Sequence, residues 1–112
     1  MKGQLNTMQE QKPPASFEEA VTRIAKALQP SQIILFGSRA RGDHRIDSDY
    51  DILVITETGE PHELARIASR VLRGRSFGLD LLALPKAHIA ARMEHSTLLK
   101  KIFKEGRVIY AA

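Results

Sequence analysis

The chain has 112 residues, with seventeen Lys and Arg against thirteen Asp and Glu, and no cysteine. That length carries one domain able to bury roughly two-thirds of its unfolded surface unaided, and the missing cysteines exclude disulfides and thiolate metal sites. No apolar run approaches the roughly 20 residues of a membrane-spanning helix, and no signal-peptide core follows Met1, so a reducing cytoplasm is the expected setting.

Residues Met1 to Ala15 are polar and aperiodic and include Pro13-Pro14, so a flexible leader is expected ahead of a single domain over 16–112. Ser16 with Glu19 forms a capping box. Phe17, Ala20, Val21, Ile24, Ala25 and Leu28 make one apolar stripe, which marks a scaffold helix. Pro30 stops it, and Gln32 to Phe36 reads as a buried strand. Gly37-Ser38 follows directly, and Arg39-Ala40-Arg41 can open a helical turn. Free backbone N–H groups there, with glycine permitting close approach, make an anion site suited to phosphate. An ordinary tight turn uses glycine in the same way. No Lys-Ser/Thr follows at P-loop spacing, so that motif is excluded.

After the irregular loop Gly42 to Ser48, Asp49-Tyr50-Asp51 leads into a second apolar strand that runs to about Thr56. Strand side chains alternate, so Asp49 and Asp51 share a face with Cα atoms roughly 6.5–7 Å apart. Alone, such a pair is often just two solvated carboxylates. Beside a phosphate cradle it becomes a grip for one or two divalent cations. Magnesium is the natural guest, because it takes oxygen ligands and bridges phosphates. Asp43 and Asp47 read as turn and cap residues, and His44 as a surface residue. Arg39, Arg41 and Arg45 lie where triphosphate charge would sit, with plain solubility as their competing use.

Gly59-Glu60-Pro61 turns into a second helix, with Leu64, Ile67, Ala68, Val71 and Leu72 inward. Its outer row, Arg66, Arg70 and Arg73, is either a solvated face or a docking surface for an acidic partner or RNA. Gly74 ends this helix. Phe77 to Leu84 is the next strand, broken by Asp80, a carboxylate costly to bury without a cation or hydrogen bonds. Pro85 suits the start of a short helix through Met93. Ser96 caps a last helix with Leu98, Leu99, Ile102 and Phe103 inward and Lys100, Lys101 and Lys104 outward. Gly106 signals its end, and Arg107 to Tyr110 can add a closing strand. Alternating strands and helices favour a small α/β (α+β) domain with a mixed sheet and helices mainly on one face.

Gly37-Ser38, ten residues, then Asp49-x-Asp51 resembles the signature of the DNA polymerase β-type nucleotidyltransferase superfamily. The resemblance is closest to its minimal nucleotidyltransferase branch, whose members are often antitoxins paired with HEPN-domain toxins. Asp80 fits the place of that family's third carboxylate, and Glu105 to Tyr110 is similar to the way many such chains finish. Tyr50 departs from the smaller aliphatic residue common between the two aspartates, and is expected to point away from the metals. The resemblance covers roughly residue 17 onward.

It implies that Asp49, Asp51 and Asp80 are catalytic and hold two magnesium ions. Gly37 and Ser38, with Arg39 and Arg41, would bind the phosphates of ATP, and AMP would pass to a hydroxyl of a partner protein. A HEPN toxin offering a tyrosine is the implied acceptor. After Asp80 only about thirty residues remain, too few for a second domain, so the acceptor is expected to bring its own surface. Two other classes compete: an antitoxin acting by contact alone, and a nucleic-acid-binding protein drawn to its targets by the net charge of +4. With 5% aromatics and an acidic cluster on the working face, the last is the weaker. No motif encodes the base, the acceptor or the oligomeric state.

Overall fold

The computed structural model describes residues 12–112, so most of the expected leader, residues 1–11, lies outside the described residues. Ser16 caps α1 (Phe17–Leu28), its hydroxyl accepting the Glu19 N–H at 3.1 Å. The Glu19 carboxylate reaches back to the Ala15 N–H at 2.8 Å, one residue beyond the Ser16 N–H of a reciprocal capping box. Residues 12–15 are not a loose lead-in. Pro14 is fully buried, Pro13 lies against Gly74, and Arg23 donates to the Lys12 carbonyl, so the packed domain begins before Ser16.

The chain continues through β1 (Gln32–Phe36), α2 (Ser38–Arg41), β2 (Tyr50–Thr56), α3 (Pro61–Val71) and β3 (Leu79–Pro85). It closes with α4 (Lys86–Arg92), a 3-10 turn at Met93–His95, α5 (Thr97–Glu105) and β4 (Arg107–Ala111). The strands form one mixed sheet in the order β3-β2-β1-β4; β1 is antiparallel to both neighbours, and β2 and β3 are parallel. Crossing from β2 to a parallel β3 needs a long connection, and α3 supplies it.

Alternation along the strands divides the core in two. Ile33, Ile52, Val54 and Ala83 pack with Ala20, Ile24, Leu64 and Leu72 beneath α1 and α3. Ile34, Leu53, Ile55 and Leu84 pack with Ile89, Leu99 and Ile102 beneath α4 and α5. The expected class therefore stands, but the placement of helices mainly on one face does not. The two longest helices, α1 and α3, cover one face, and α4 and α5 cover the other. Strands buried on both faces explain why β2 reads as an unbroken apolar run. Among the described residues no helix is long and apolar enough to cross a membrane.

Three local expectations change. In α5, Leu99 and Ile102 point inward, whereas Leu98 and Phe103 flank the stripe and are 48% and 44% exposed. Gly106 is not left-handed (φ −75°, ψ 164°). It is glycine for space, since a Cβ would lie 2.5 Å from both the Ile102 carbonyl oxygen and Ile34 Cγ2. β3 starts at Leu79, later than expected, and Phe77 ahead of it meets Tyr50 edge to face at 6.1 Å between ring centroids.

Candidate active site

Pairing register brings the acidic residues together. Asp51 lies between Phe36 of β1 and Asp80 of β3. Asp51 has the parity of Leu53 and Ile55, and Asp80 that of Leu82 and Leu84, so both point to the α4/α5 face at one end of the sheet. Asp51 is half-buried, and Asp49 and Asp80 are exposed. Burial foremost, then the charges of Asp80 and Asp49 and a hydrogen bond with Asp80, hold the Asp51 carboxyl above its ordinary range.

Two glycines make room for these side chains. A Cβ at Gly37 would overlap Asp51 Oδ2, and one at Gly78 would overlap Asp49 Oδ1. Gly37 also takes φ +77°, which glycine alone adopts freely. Gly78 was missed by the sequence reading. Its signal, a glycine two residues ahead of Asp80, becomes meaningful only once β3 lies beside β2 and the Tyr50 N–H donates to the Gly78 carbonyl at 3.0 Å.

Gly37 is the N-cap of α2, and its carbonyl accepts the amides of Ala40 and Arg41, both at 3.1 Å. The Ser38 and Arg39 amides stand at the open start of that turn, after the glycine that meets Asp51. Arg41 reaches Asp43 at 3.3 Å and Glu105 of α5 at 3.6 Å, which ties α2 to the last helix. Arg39 points elsewhere. It donates to the carbonyls of Ser48 at 3.0 Å and Ile46 at 3.1 Å, and its guanidinium carbon lies 4.0 Å from the Tyr50 ring centroid. Tyr50 packs toward α1, stacked on Phe17 with centroids 4.0 Å apart and planes 5° apart. A small notch of about 150 Å³ opens beside Gly37, lined by Phe36, Arg41, Leu98, Lys101, Ile102 and Glu105.

The donors suit a hard divalent cation, being carboxylate oxygens only. No Lys or Arg pairs with Asp49, Asp51 or Asp80 among the described residues. Clustered, uncompensated carboxylates are what such a cation offsets. No three acidic or imidazole groups close into a ready-made cage among the described residues. Asp51 and Asp80 are the tight half of the site, and Asp49, resting against Gly78, acts on Asp51 through charge.

A small mixed sheet that presents carboxylates on adjacent strands, beside a glycine-opened helix start, defines a nucleotidyltransferase-type fold. The chain belongs to the polymerase beta nucleotidyltransferase family, whose profile matches residues 18–112. A Methanocaldococcus jannaschii protein carried under the name of a candidate protein adenylyltransferase is 27% identical over 100 residues, covering 83% of this chain and 97% of its own. The crystal structure of a candidate nucleotidyltransferase from Sulfolobus solfataricus superposes with a TM-score of 0.59 at 20% identity, covering 98% of this chain and 85% of that one. A toxin–antitoxin crystal structure with AMP-PNP gives 0.55 at 22% identity, covering 87% of this chain and 75% of that one.

Proposed function

We propose that this chain is a magnesium-dependent nucleotidyltransferase that moves AMP from ATP to a hydroxyl of a partner protein, acting as an antitoxin on a HEPN-type toxin in the cytoplasm. The observation that carries the proposal is the register pair Asp51–Asp80 beside the open start of α2, with Gly37 and Gly78 cleared for the aspartate side chains. The adenylyltransferase-named relative and the toxin–antitoxin neighbour with AMP-PNP support the nucleotide and the protein acceptor.

In this reading the Ser38 and Arg39 amides and the Ser38 hydroxyl receive the β,γ-phosphates, with Arg41 adding charge once it leaves Asp43 and Glu105. Asp49, Asp51 and Asp80 would hold magnesium, which supplies charge neutralisation and orientation of the phosphates when bound. Asp80, exposed at the edge of the cluster, accepts the proton of the acceptor hydroxyl. The hydroxyl oxygen bonds to the α-phosphorus, the bond from that phosphorus to the bridging oxygen breaks, and pyrophosphate leaves with the electron pair.

The test is incubation with α-labelled ATP, magnesium and lysate of the native host, alongside an Asp51→Asn control. One labelled protein band, absent with Asp51→Asn, is expected. A stable complex with a host protein that never takes up label would replace transfer by neutralisation through contact. Label uptake at the parent rate by Asp51→Asn would sink the carboxylate mechanism.

A further inference from the structure

The loop between α2 and β2 delivers Asp49 to the site, yet it has few anchors of its own. Residues 43–47 are exposed, Ile46 at 97%, and the bonds between Arg45 and Ser48 stay inside the loop. Arg39 is what ties its far end to the body. Its Nε and one terminal nitrogen are both engaged by loop carbonyls, at Ser48 and Ile46, and its guanidinium carbon lies over the Tyr50 ring. Phe17 and the guanidinium each lie 4.0 Å from the same ring centroid, so they must occupy opposite faces of Tyr50. The result is a three-layer stack from α1 through β2 to α2, braced at its edge by Phe77. The clamped residue is the one between Asp49 and Asp51.

We propose that Arg39 and Tyr50 are positioning residues, which fix Asp49 and Asp51 against Asp80 by clamping the intervening residue and the loop before it. Arg39 thereby acts through the loop and not as a phosphate ligand, a task left to Arg41 and the α2 amides. This rests on the reading that the three carboxylates are the working groups. An aliphatic residue at position 50 would still fill space against Phe17, but it offers a guanidinium no π face. The tyrosine and the arginine that it faces form one device.

Hydrogen exchange over the peptide Gly42–Tyr50 and calorimetric titration with Mn²⁺ alone test this on the full chain. Arg39→Gln and Tyr50→Leu should both speed loop exchange and weaken Mn²⁺ binding by about tenfold, as loss of a ligand's supporting partner commonly does. Tyr50→Phe, which keeps the ring, should restore both. The double variant should lose less than the sum of the two single ones, because both break the Arg39–Tyr50 contact. Metal-free affinity for tripolyphosphate should fall much further in Arg41→Gln than in Arg39→Gln. Parent-like loop exchange in Arg39→Gln, or a loss of tripolyphosphate matching Arg41→Gln, overturns the proposal. A parent that binds no Mn²⁺ would sink the metal reading alone, and the exchange comparison would still decide the clamp.

Discussion

Asp51 sits between a buried strand and two like charges, and its raised proton affinity makes stability depend on pH. The folded chain holds that proton more tightly than the unfolded one. The contribution is therefore complete below the ordinary aspartate value of about 3.9 and is lost as pH rises through the higher folded value. Without metal, Asp51→Asn should melt near the parent at low pH and above it at neutral pH. Magnesium should raise the parent's melting temperature and leave that of the variant unchanged, and thermal scans across pH with and without the ion check both. Gly78→Ala gives a second test. Asp49 is exposed and can swing away from the new methyl, so the fold should survive while Mn²⁺ affinity falls, by about tenfold or more. Parent-like affinity would show that the Asp49 orientation does not matter. Asp49 and Asp51 were legible in the sequence because their spacing is local. The need for glycine at 78 was not, since it comes from a side chain contributed by a different strand. Arg39 was legible as a charge near the site but not as a clamp, because its partners are loop carbonyls that no composition reveals.

Elements were read more surely than their faces. Each capping residue read from the sequence, Ser16 and Ser96, starts a helix in the structure, because a cap needs only a side-chain oxygen and an amide three residues on. Which side of α5 is buried depends on what lies across from it, and the sheet leaves only Leu99 and Ile102 enclosed. Ile102→Ala should cost about 2–5 kcal/mol in urea unfolding, as for a buried large-to-small change. Leu98→Ala and Phe103→Ala should cost much less, since half of each side chain already meets water. Gly106→Ala should also destabilise, by about 1–3 kcal/mol, because a methyl there has to displace backbone and Ile34 together. A neutral Gly106→Ala would mean that α5 can lift off β1, and with it the Arg41–Glu105 tie beside the α2 turn.

At the scale of the whole molecule, the two basic rows lie on opposite sides of the sheet. Arg70 and Arg73 line a cleft with Lys12 and Arg23 on the α1/α3 face, and Arg66 is paired with Glu63 at 3.2 Å. Lys101 borders the notch beside Gly37, on the carboxylate face. A partner that delivers a hydroxyl to Asp80 therefore meets the α5 lysines and not the α3 arginines. Lys101→Glu should weaken association with such a partner, Arg70→Glu should leave it alone, and added salt should narrow the difference. Binding measured at low and at raised ionic strength decides it. Equal loss from both variants would put the partner on the far face, away from the aspartates.

The position of β1 has a consequence for how the protein is made. It is an interior strand, yet one of its two neighbours is β4, so the span from Gly37 to Gly106 must be synthesised before Arg107 can close that side. During translation, the β1 backbone donors and acceptors that face β4 stay open on that edge while β2 pairs on the other. An open edge on an apolar strand is a template for pairing with other nascent chains, and the wait lengthens wherever ribosomes slow between those two strands. A ribosome-arrested chain stopped after Gly106 should remain protease-sensitive and recruit holdase chaperones. Extending the arrest point until Ala111 has cleared the exit tunnel should abolish both.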